Sequence, residues 1–295
     1  MAAISEVPGA TFEDIHSTAS VGLVASVISD LDLSSVSTVA DLGCGAGRFA
    51  IPIGREIAPR GGTVYALDRA GQELERIRKC ADAEGLPILT VEANVLDSTA
   101  LPRHSMDLVM LNFVLNLLRP PQLDMCVENA AALLRPNGRL LVSAYGLNHI
   151  GEAYEWLIDA LVETGVSRAD AQQAGDRIKR SRSGGRFEVG SGIAVLGRCF
   201  DAVTFTRFHD TLEGSVHEVG NLVAPSLLGS RILRDLVTDT RTVEAISEAF
   251  FSAMRSAATD GVLRLRVDIG TLIASKPASA AHPAGQRRLQ VDKGP

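Results

Sequence analysis

The sequence predicts an α/β protein with a doubly wound, mostly parallel sheet of seven strands, and three observations support this prediction. Short apolar runs alternate with amphipathic helical stretches between residues 37 and 147. The glycine-rich turn Gly43-Cys44-Gly45-Ala46-Gly47 follows the first apolar run directly. Two more apolar runs, separated by a long helical stretch, come near the carboxyl end. Because parallel strands are joined by helical crossovers, this alternation favours a parallel sheet covered on both faces.

Five strands are expected in the first half of the chain. Their apolar runs lie at 38–42, 62–67, 88–93, 106–111 and 139–144, with helices expected at 49–57, 72–84 and 123–134. Two further runs, at 202–207 and 262–275, are expected to form an antiparallel pair that completes the sheet. An amphipathic helix is also expected at 12–31, where it could cover a cofactor or a partner subunit, so a homodimer is one arrangement that the sequence allows.

This pattern divides the chain into segments with different expected roles. They are an N-terminal helical segment (1–36), an α/β core (37–147), a helical insertion (148–189), the remainder of the core sheet (190–211 and 260–276), a second helical insertion (212–259) and a flexible tail (277–295). The insertions carry many spare apolar residues, among them Trp156 and Phe250. We expect them to form a lid over an apolar ligand, although ordinary core packing explains the same residues.

Composition excludes several classes of protein. A hydrophobic content of 46% in 295 residues is too high for a chain that is disordered throughout. The net charge of −6, without a long basic block, gives no field to hold a phosphate backbone, so nucleic acid is not an expected partner. The four cysteines lie far apart with no histidine at metal-ligand spacing, so we expect no metal and a reducing, cytoplasmic location. No membrane association is expected, since no uncharged apolar stretch reaches roughly 18 residues.

The glycine-rich turn carries the clearest chemical signal. Placed between a strand and a helix, its backbone N–H groups and the helix dipole face a ligand, and its glycines let that ligand approach closely. A nicotinamide-binding turn follows G-x-G-x-x-G, but its third glycine position is Arg48 here. The pattern present, beginning at Asp41, is D-x-G-x-G-x-G.

In this turn, and across residues 37–144, the sequence resembles the class I S-adenosylmethionine-dependent methyltransferases. The resemblance implies a Rossmann-like fold, S-adenosyl-L-methionine as cofactor and S-adenosyl-L-homocysteine as product. It also implies a set of cofactor-binding residues on the turn and at the ends of the next strands. This set is Asp41, Gly43, Cys44, Gly45, Gly47, Asp68, Arg69, Asn94, Val95, Asn112 and Phe113.

Individual residues in this set have separate expected roles. The Asp68 carboxylate, at the end of the second strand, can accept hydrogen bonds from both ribose hydroxyls, although it could instead cap a helix. Asn94 stands where the family often has Asp, and its amide oxygen can still accept from the adenine amino group. The methionine end of the cofactor is expected near Asn112. Asp41 could face the methionine ammonium group, or it could simply stabilise the start of the helix.

Two residues after the fifth strand are candidates for a general base. Ligands in such sheets bind beyond the carboxyl ends of the strands, where Tyr145 and His149 follow. His149 and Glu152 have the i, i+3 spacing of a helix, so the carboxylate could orient the imidazole. A histidine that caps the next helix is the ordinary alternative. Such a base is typically worth about 10² to 10⁴ in rate for an acceptor that must lose a proton.

The acceptor is expected to be a small molecule, with a secondary metabolite as the favoured class and oxygen as the favoured atom; carbon and nitrogen stay open. Family members that methylate bases or glutamine usually carry N-P-P-[YF] after the fourth strand, and Asn112-Phe113-Val114-Leu115 does not match. Two alternatives are a methyltransferase acting on protein or RNA, and a non-catalytic protein that binds the same cofactor and uses its insertions as an interaction surface.

Overall fold

A computed structural model describes residues 24–29, 31–97, 99–146, 148–182, 189–237 and 239–275. Residues 24–29 are helical. Of the helix expected at 12–31, the structure describes only these residues and Leu31, which lies in a turn. The tail expected at 277–295 lies outside the described residues, as do residues 183–188 of the first insertion.

Seven strands form one sheet, which confirms the predicted fold class. The strands are β1 (Thr38–Leu42), β2 (Thr63–Asp68), β3 (Ile88–Glu92), β4 (Met106–Asn112), β5 (Leu134–Tyr145), β6 (Ala202–Ser215) and β7 (Val262–Ser275). Their order across the sheet is β3-β2-β1-β4-β5-β7-β6. The neighbours from β3 to β5 pair in parallel, whereas β7 runs antiparallel to β5. The chain order reverses direction between β1 and β4, where ligands bind in open α/β sheets.

Nine named helices occur in the described ranges. They are α1 (Ala50–Ile57), α2 (Gly71–Glu84), α3 (Pro120–Leu133), α4 (Gly151–Glu163), α5 (Arg168–Arg182), α6 (Val189–Leu196), α7 (Val216–Leu228), α8 (Arg231–Leu236) and α9 (Thr240–Ala257). Several begin where local chemistry dictates. Prolines fit the first turn of α3 because the first helical N–H groups have no partner within the helix. Ser215 and Glu218 form a capping box at the start of α7.

The sixth strand is much longer than its apolar run. The sequence predicts it at 202–207, but β6 continues to Ser215, four residues into the segment expected to be helical at 212–259. Most of its side chains are exposed, and β6 lies at the edge of the sheet. An edge strand with few buried side chains lacks the apolar periodicity that predicts strands, which explains the error.

The chain divides into two compact units. One contains residues 23–147, 183–208 and 269–295, and the other contains 1–22, 148–182 and 209–268. The boundaries therefore fall inside β6 and β7, so the expected core segment 260–276 is split between the units. In the first unit, the central strands carry fully buried side chains such as Val39, Leu108 and Leu141. Among the described residues, no helix is both long and apolar enough to cross a membrane.

The second unit has its own apolar core. Helix α9 buries Ile246, Ala249, Phe250 and Met254, which recur at helical spacing on one face. This helix packs against α4, which in turn packs against α5. Packing inside this unit accounts for these apolar side chains, so they supply no separate support for the expected lid.

We expect Leu108→Ala to lower the free energy of unfolding by about 3 kcal/mol, because it leaves a cavity beneath a central strand. Leu108 is completely buried in β4. Leu117→Ala is the matched control, since this leucine is 70% exposed, and we expect it to change stability by less than about 0.5 kcal/mol. Urea denaturation measures both, and equal losses would contradict the placement of β4 at the centre of the core.

Candidate donor-binding site

The turn between β1 and α1 has a backbone that requires glycine. Gly43, Gly45 and Gly47 have φ angles of +75°, +49° and +83°, in the left-handed region that side chains disfavour. A Cβ atom on Gly43 would lie 2.6 Å from Val114 Cγ2, and one on Gly47 would lie 2.8 Å from Ile77 Cγ1. A Cβ on Gly45 would meet nothing within 4 Å. The turn therefore packs closely on two sides and leaves open space over Gly45.

The end of β2 holds this turn in place. The backbone N–H groups of Gly43 and Cys44 both donate to the Leu67 carbonyl, with N···O distances of 2.7 and 3.0 Å. The N–H of Gly45 donates to Asp68 Oδ2 at 2.9 Å, and Asp68 Oδ1 accepts from the N–H of Ala70 at 2.9 Å. Since an ionised carboxylate has about four acceptor sites, Asp68 retains capacity for hydroxyl donors. Asp68 therefore fixes the turn and can still bind a ribose.

Three polar side chains lie on neighbouring strands beside the turn. They are Asp41 on β1, Asn112 on β4 and Ser143 on β5. Asp41 pairs in register with Met110, two residues before Asn112, and Asn112 pairs with Ser143. Because alternate residues of a strand share a face, all three side chains project from the same face of the sheet. Sequence reasoning missed Ser143, although it is the one hydroxyl in the otherwise apolar run of 140–144.

Asp41 is buried in a way that disfavours its charge. Burial raises the pKa of its carboxyl to about 7, while the Asn112 side chain and the Ala50 backbone act in the opposite direction. The contact with Ala50, the first residue of α1, agrees with a role at the helix start. Within the described structure, neither Asp41 Oδ1 nor Asn112 Nδ2 makes a hydrogen bond of acceptable geometry. Each unpaired polar atom buried in this way costs free energy, so a ligand that paired with both would be favoured.

These groups fit the amino-acid end of S-adenosylmethionine. A carboxylate oxygen without a donor suits an ammonium group, and an amide N–H group without an acceptor suits a carboxylate. The open space above Gly45 gives the remainder of the cofactor room to approach the backbone. Cys44 contributes no reactive thiol, because burial and the nearby carboxylates raise its pKa.

The predicted adenine and ribose contacts are more exposed. Asn94 and Arg69 are exposed, whereas Val95 is half-buried. Asn94 Oδ1 accepts a hydrogen bond from the backbone N–H of Leu96 at 3.0 Å, which shapes the loop after β3. Val95 lines a small cavity together with Leu42 and Leu67. These positions offer an apolar surface and an amide next to the end of β2.

Two aromatic rings meet at the carboxyl ends of β4 and β5. Phe113 and Tyr145 stack with ring centroids 4.8 Å apart and an interplanar angle of 30°. Phe113 has a φ angle of +57°, which is unusual for a residue with a side chain. Its N–H donates to the Ser143 carbonyl at 3.0 Å. Strained backbone of this kind often occurs where a side chain is positioned for function.

The other predicted base lies in the second unit. His149 is buried, and its Nδ1 accepts a hydrogen bond from the backbone N–H of Asp268 at 3.4 Å. Asp268 is buried too, and its Oδ2 accepts from the N–H of Asn148 at 3.3 Å. Glu152 accepts from the N–H of Arg266 at 3.2 Å. Sequence reasoning missed Asp268, because only the fold reveals that this carboxylate is buried beside His149.

Part of the chain is similar in sequence to known proteins. Residues 39–138, about a third of the chain, match the family model described as a methyltransferase domain. Carboxy-S-adenosyl-L-methionine synthase of Photobacterium profundum is 32% identical over 125 residues, which cover 42% of this chain and 50% of that protein. The corresponding synthase of Vibrio cholerae is 31% identical with the same coverage. The chain thus spans about half the length of these curated relatives.

A solved structure shares the fold across most of the chain. It is that of a methyltransferase candidate from Bacillus halodurans, with a TM-score of 0.55 and 15% identity. The match covers 86% of this chain and 98% of that one. The family match places a domain of the methyltransferase type within residues 39–138 of the first unit, and the solved structure shows the same fold. S-adenosylmethionine is the cofactor that this similarity indicates for the domain.

We expect two glycine substitutions in the turn to have different effects. Gly47→Ala forces a Cβ against Ile77 and should lower both stability and cofactor affinity. Gly45→Ala has no such contact, so its stability cost should be limited to the backbone, about 1 kcal/mol, while its methyl group fills the space above the turn. Thermal unfolding and calorimetric titration with S-adenosylhomocysteine separate the two effects. Undiminished affinity in Gly45→Ala would contradict the proposed approach of the cofactor.

We also expect affinity for S-adenosylhomocysteine to depend on pH through Asp41. The ammonium group of the ligand pairs with the ionised carboxylate, and below a pKa of about 7 that carboxyl must first lose a proton. Affinity should therefore fall about tenfold between pH 8 and pH 6. Asp41→Asn controls for titration of the ligand itself: it should bind more weakly at pH 8 and show a smaller pH dependence. Identical pH profiles for the two proteins would contradict this role.

Proposed function

We propose that this protein transfers the methyl group of S-adenosylmethionine to a small molecule. A secondary metabolite is the favoured acceptor class and oxygen the favoured atom. The proposal rests on Asp41 Oδ1 and Asn112 Nδ2, a buried acceptor and a buried donor beside the glycine turn that make no hydrogen bond within the described structure. The absence of N-P-P-[YF] after β4 supports a small acceptor over a nucleic acid base or glutamine.

The residues of this chain mainly bind and orient. Bound S-adenosylmethionine supplies a methyl group that is electrophilic because it is attached to a positively charged sulfur. Asp41 and Asn112 hold the amino-acid end, and Asp68 accepts from the ribose. The stacked rings of Phe113 and Tyr145 provide an apolar surface that excludes water. Fixing the two reactants in line can supply most of the rate acceleration for such a transfer.

An oxygen acceptor that must lose a proton needs a base, and His149 and Tyr145 are the two candidates. His149 already uses its Nδ1 lone pair to accept the Asp268 N–H, so its neutral ring carries the remaining proton on Nε2. To take a proton from an acceptor, His149 would have to give up that hydrogen bond. Tyr145 ends the strand beside Asn112 and stacks on Phe113, which makes it the better-placed candidate.

Incubation with methyl-labelled S-adenosylmethionine and a metabolite extract tests the proposal. We expect labelled small molecules together with S-adenosylhomocysteine. Labelled protein or RNA instead of a small product would favour a macromolecular acceptor. Cofactor binding without any labelled product from a broad range of extracts would favour a non-catalytic protein.

The curated relatives suggest a second candidate. Their printed name is carboxy-S-adenosyl-L-methionine synthase, so in those proteins the nucleoside is itself changed. In that case the methyl group of S-adenosylmethionine would lose a proton and gain a carboxyl group from a co-substrate that releases carbon dioxide. Mass spectrometry of the spent cofactor distinguishes the two candidates, since methyl transfer yields S-adenosylhomocysteine and carboxylation yields a heavier sulfonium compound.

Once an acceptor is found, we expect Tyr145→Phe to lower kcat at least about tenfold while the Kd for S-adenosylhomocysteine stays unchanged, as removal of a base should. His149→Ala is compared in parallel. If only His149→Ala lowers kcat, and this variant unfolds at the same temperature as the unaltered chain, His149 is the base instead of Tyr145. Unchanged kcat in both variants would indicate an acceptor that needs no base.

The cytoplasmic location expected from the sequence belongs to the same proposal. Its support is that all four cysteines, Cys44, Cys80, Cys126 and Cys199, are free thiols.

A further inference from the structure

A line of polar side chains crosses three adjacent strands of the buried sheet. Asp41, Asn112 and Ser143 each interrupt an apolar run, and each comes near the carboxyl end of its strand. The order β1-β4-β5 places Asn112 between the other two. The proposed function uses Asp41 and Asn112, but it gives Ser143 no role.

Ser143 makes one specific contact with this line. Its hydroxyl donates to Asn112 Oδ1 with an O···O distance of 2.7 Å, and the side chain is 1% exposed. A hydroxyl that is buried this deeply is costly unless it is hydrogen-bonded, so the contact is part of what makes serine tolerable here. This hydrogen bond also fixes the orientation of the Asn112 amide group, because it holds Oδ1 towards Ser143.

The orientation of the Asn112 amide matters because its two ends have opposite chemistry. With Oδ1 bound to Ser143, Nδ2 is the end left without a hydrogen-bond partner in the described structure. Asn112 also lowers the pKa of Asp41, as expected when an amide N–H group faces the carboxyl. A reversed amide would set its oxygen near the carboxylate oxygens, and two acceptors would then repel each other.

We propose that Ser143 is a positioning residue that fixes the Asn112 amide so that its N–H group points to the amino-acid end of the donor. This inference rests on the proposed function, because it assumes that Asp41 and Asn112 bind that end. Ser143 itself makes no contact with the donor in this account and acts only through Asn112.

The chain offers a matched control for the loss of a buried hydroxyl. Thr271 lies on β7, directly opposite Ser143 in the register with β5, and it is 7% exposed. Its side chain shares the face of the sheet with Ser143 but stands one strand further from Asn112. Thr271→Val therefore removes a hydroxyl in the same environment without removing the bond to the amide.

Calorimetric titration with S-adenosylhomocysteine at pH 8 tests the inference on the full chain. We expect Ser143→Ala to raise the Kd about fivefold to tenfold, the value of one buried hydrogen bond, and Thr271→Val to leave it within about twofold. The decisive variant is the double substitution Ser143→Ala with Asn112→Ala. If Ser143 acts only through Asn112, the double variant binds no more weakly than Asn112→Ala alone. Circular dichroism melting checks that every variant is folded at the titration temperature.

The possible outcomes separate failure of the inference about Ser143 from failure of the proposed function. A Kd in Ser143→Ala equal to that of the unaltered chain overturns the inference. Losses that multiply in the double variant also overturn it, because Ser143 would then act independently of Asn112. If the unaltered chain fails to bind S-adenosylhomocysteine, the proposed function fails and the inference fails with it. If the unaltered chain binds S-adenosylhomocysteine and the losses of affinity in the double variant multiply, the inference fails but the proposed function does not.

Discussion

The site depends on three hydrogen bonds, donated by backbone N–H groups, that hold the turn after β1 against the end of β2. The N–H groups of Gly43 and Cys44 share the Leu67 carbonyl, and that of Gly45 binds the Asp68 carboxylate. These bonds hold the turn in left-handed backbone conformations that only glycine adopts at little cost. They also place an acidic side chain of the second strand directly beside the start of the first helix. In the proposed function, the carboxylate that supports the turn also binds the nucleoside.

The buried Asp41 carboxyl is the second defining feature of the site. Folding places it among apolar strand residues, where burial disfavours its charge and raises its pKa. Stability alone would favour an apolar residue at this position. The proposed function accounts for its presence beside an amide group that also lacks a partner, because the amino-acid end of the donor brings an ammonium and a carboxylate group. The family match over residues 39–138 is consistent with this explanation, since it begins two residues before Asp41.

The sequence predicts the architecture well because the central strands β1 and β4 are largely buried and form continuous apolar runs. The turn could be predicted equally well, because its glycines and its acidic residue lie next to one another in the sequence. The length of β6 was not predictable from apolar periodicity, because most of its side chains face solvent. Ser143 and Asp268 were missed for another reason: their importance comes from burial and from neighbours that are distant in sequence, such as Asn112 for Ser143.

A crystal structure of the protein with bound S-adenosylhomocysteine is the most direct test of the central claim. We expect electron density for the nucleoside over Gly45, with the ribose hydroxyls on Asp68 and the amino-acid group between Asp41 and Asn112. An empty turn in crystals saturated with the nucleoside, or a dinucleotide bound there instead, would contradict it.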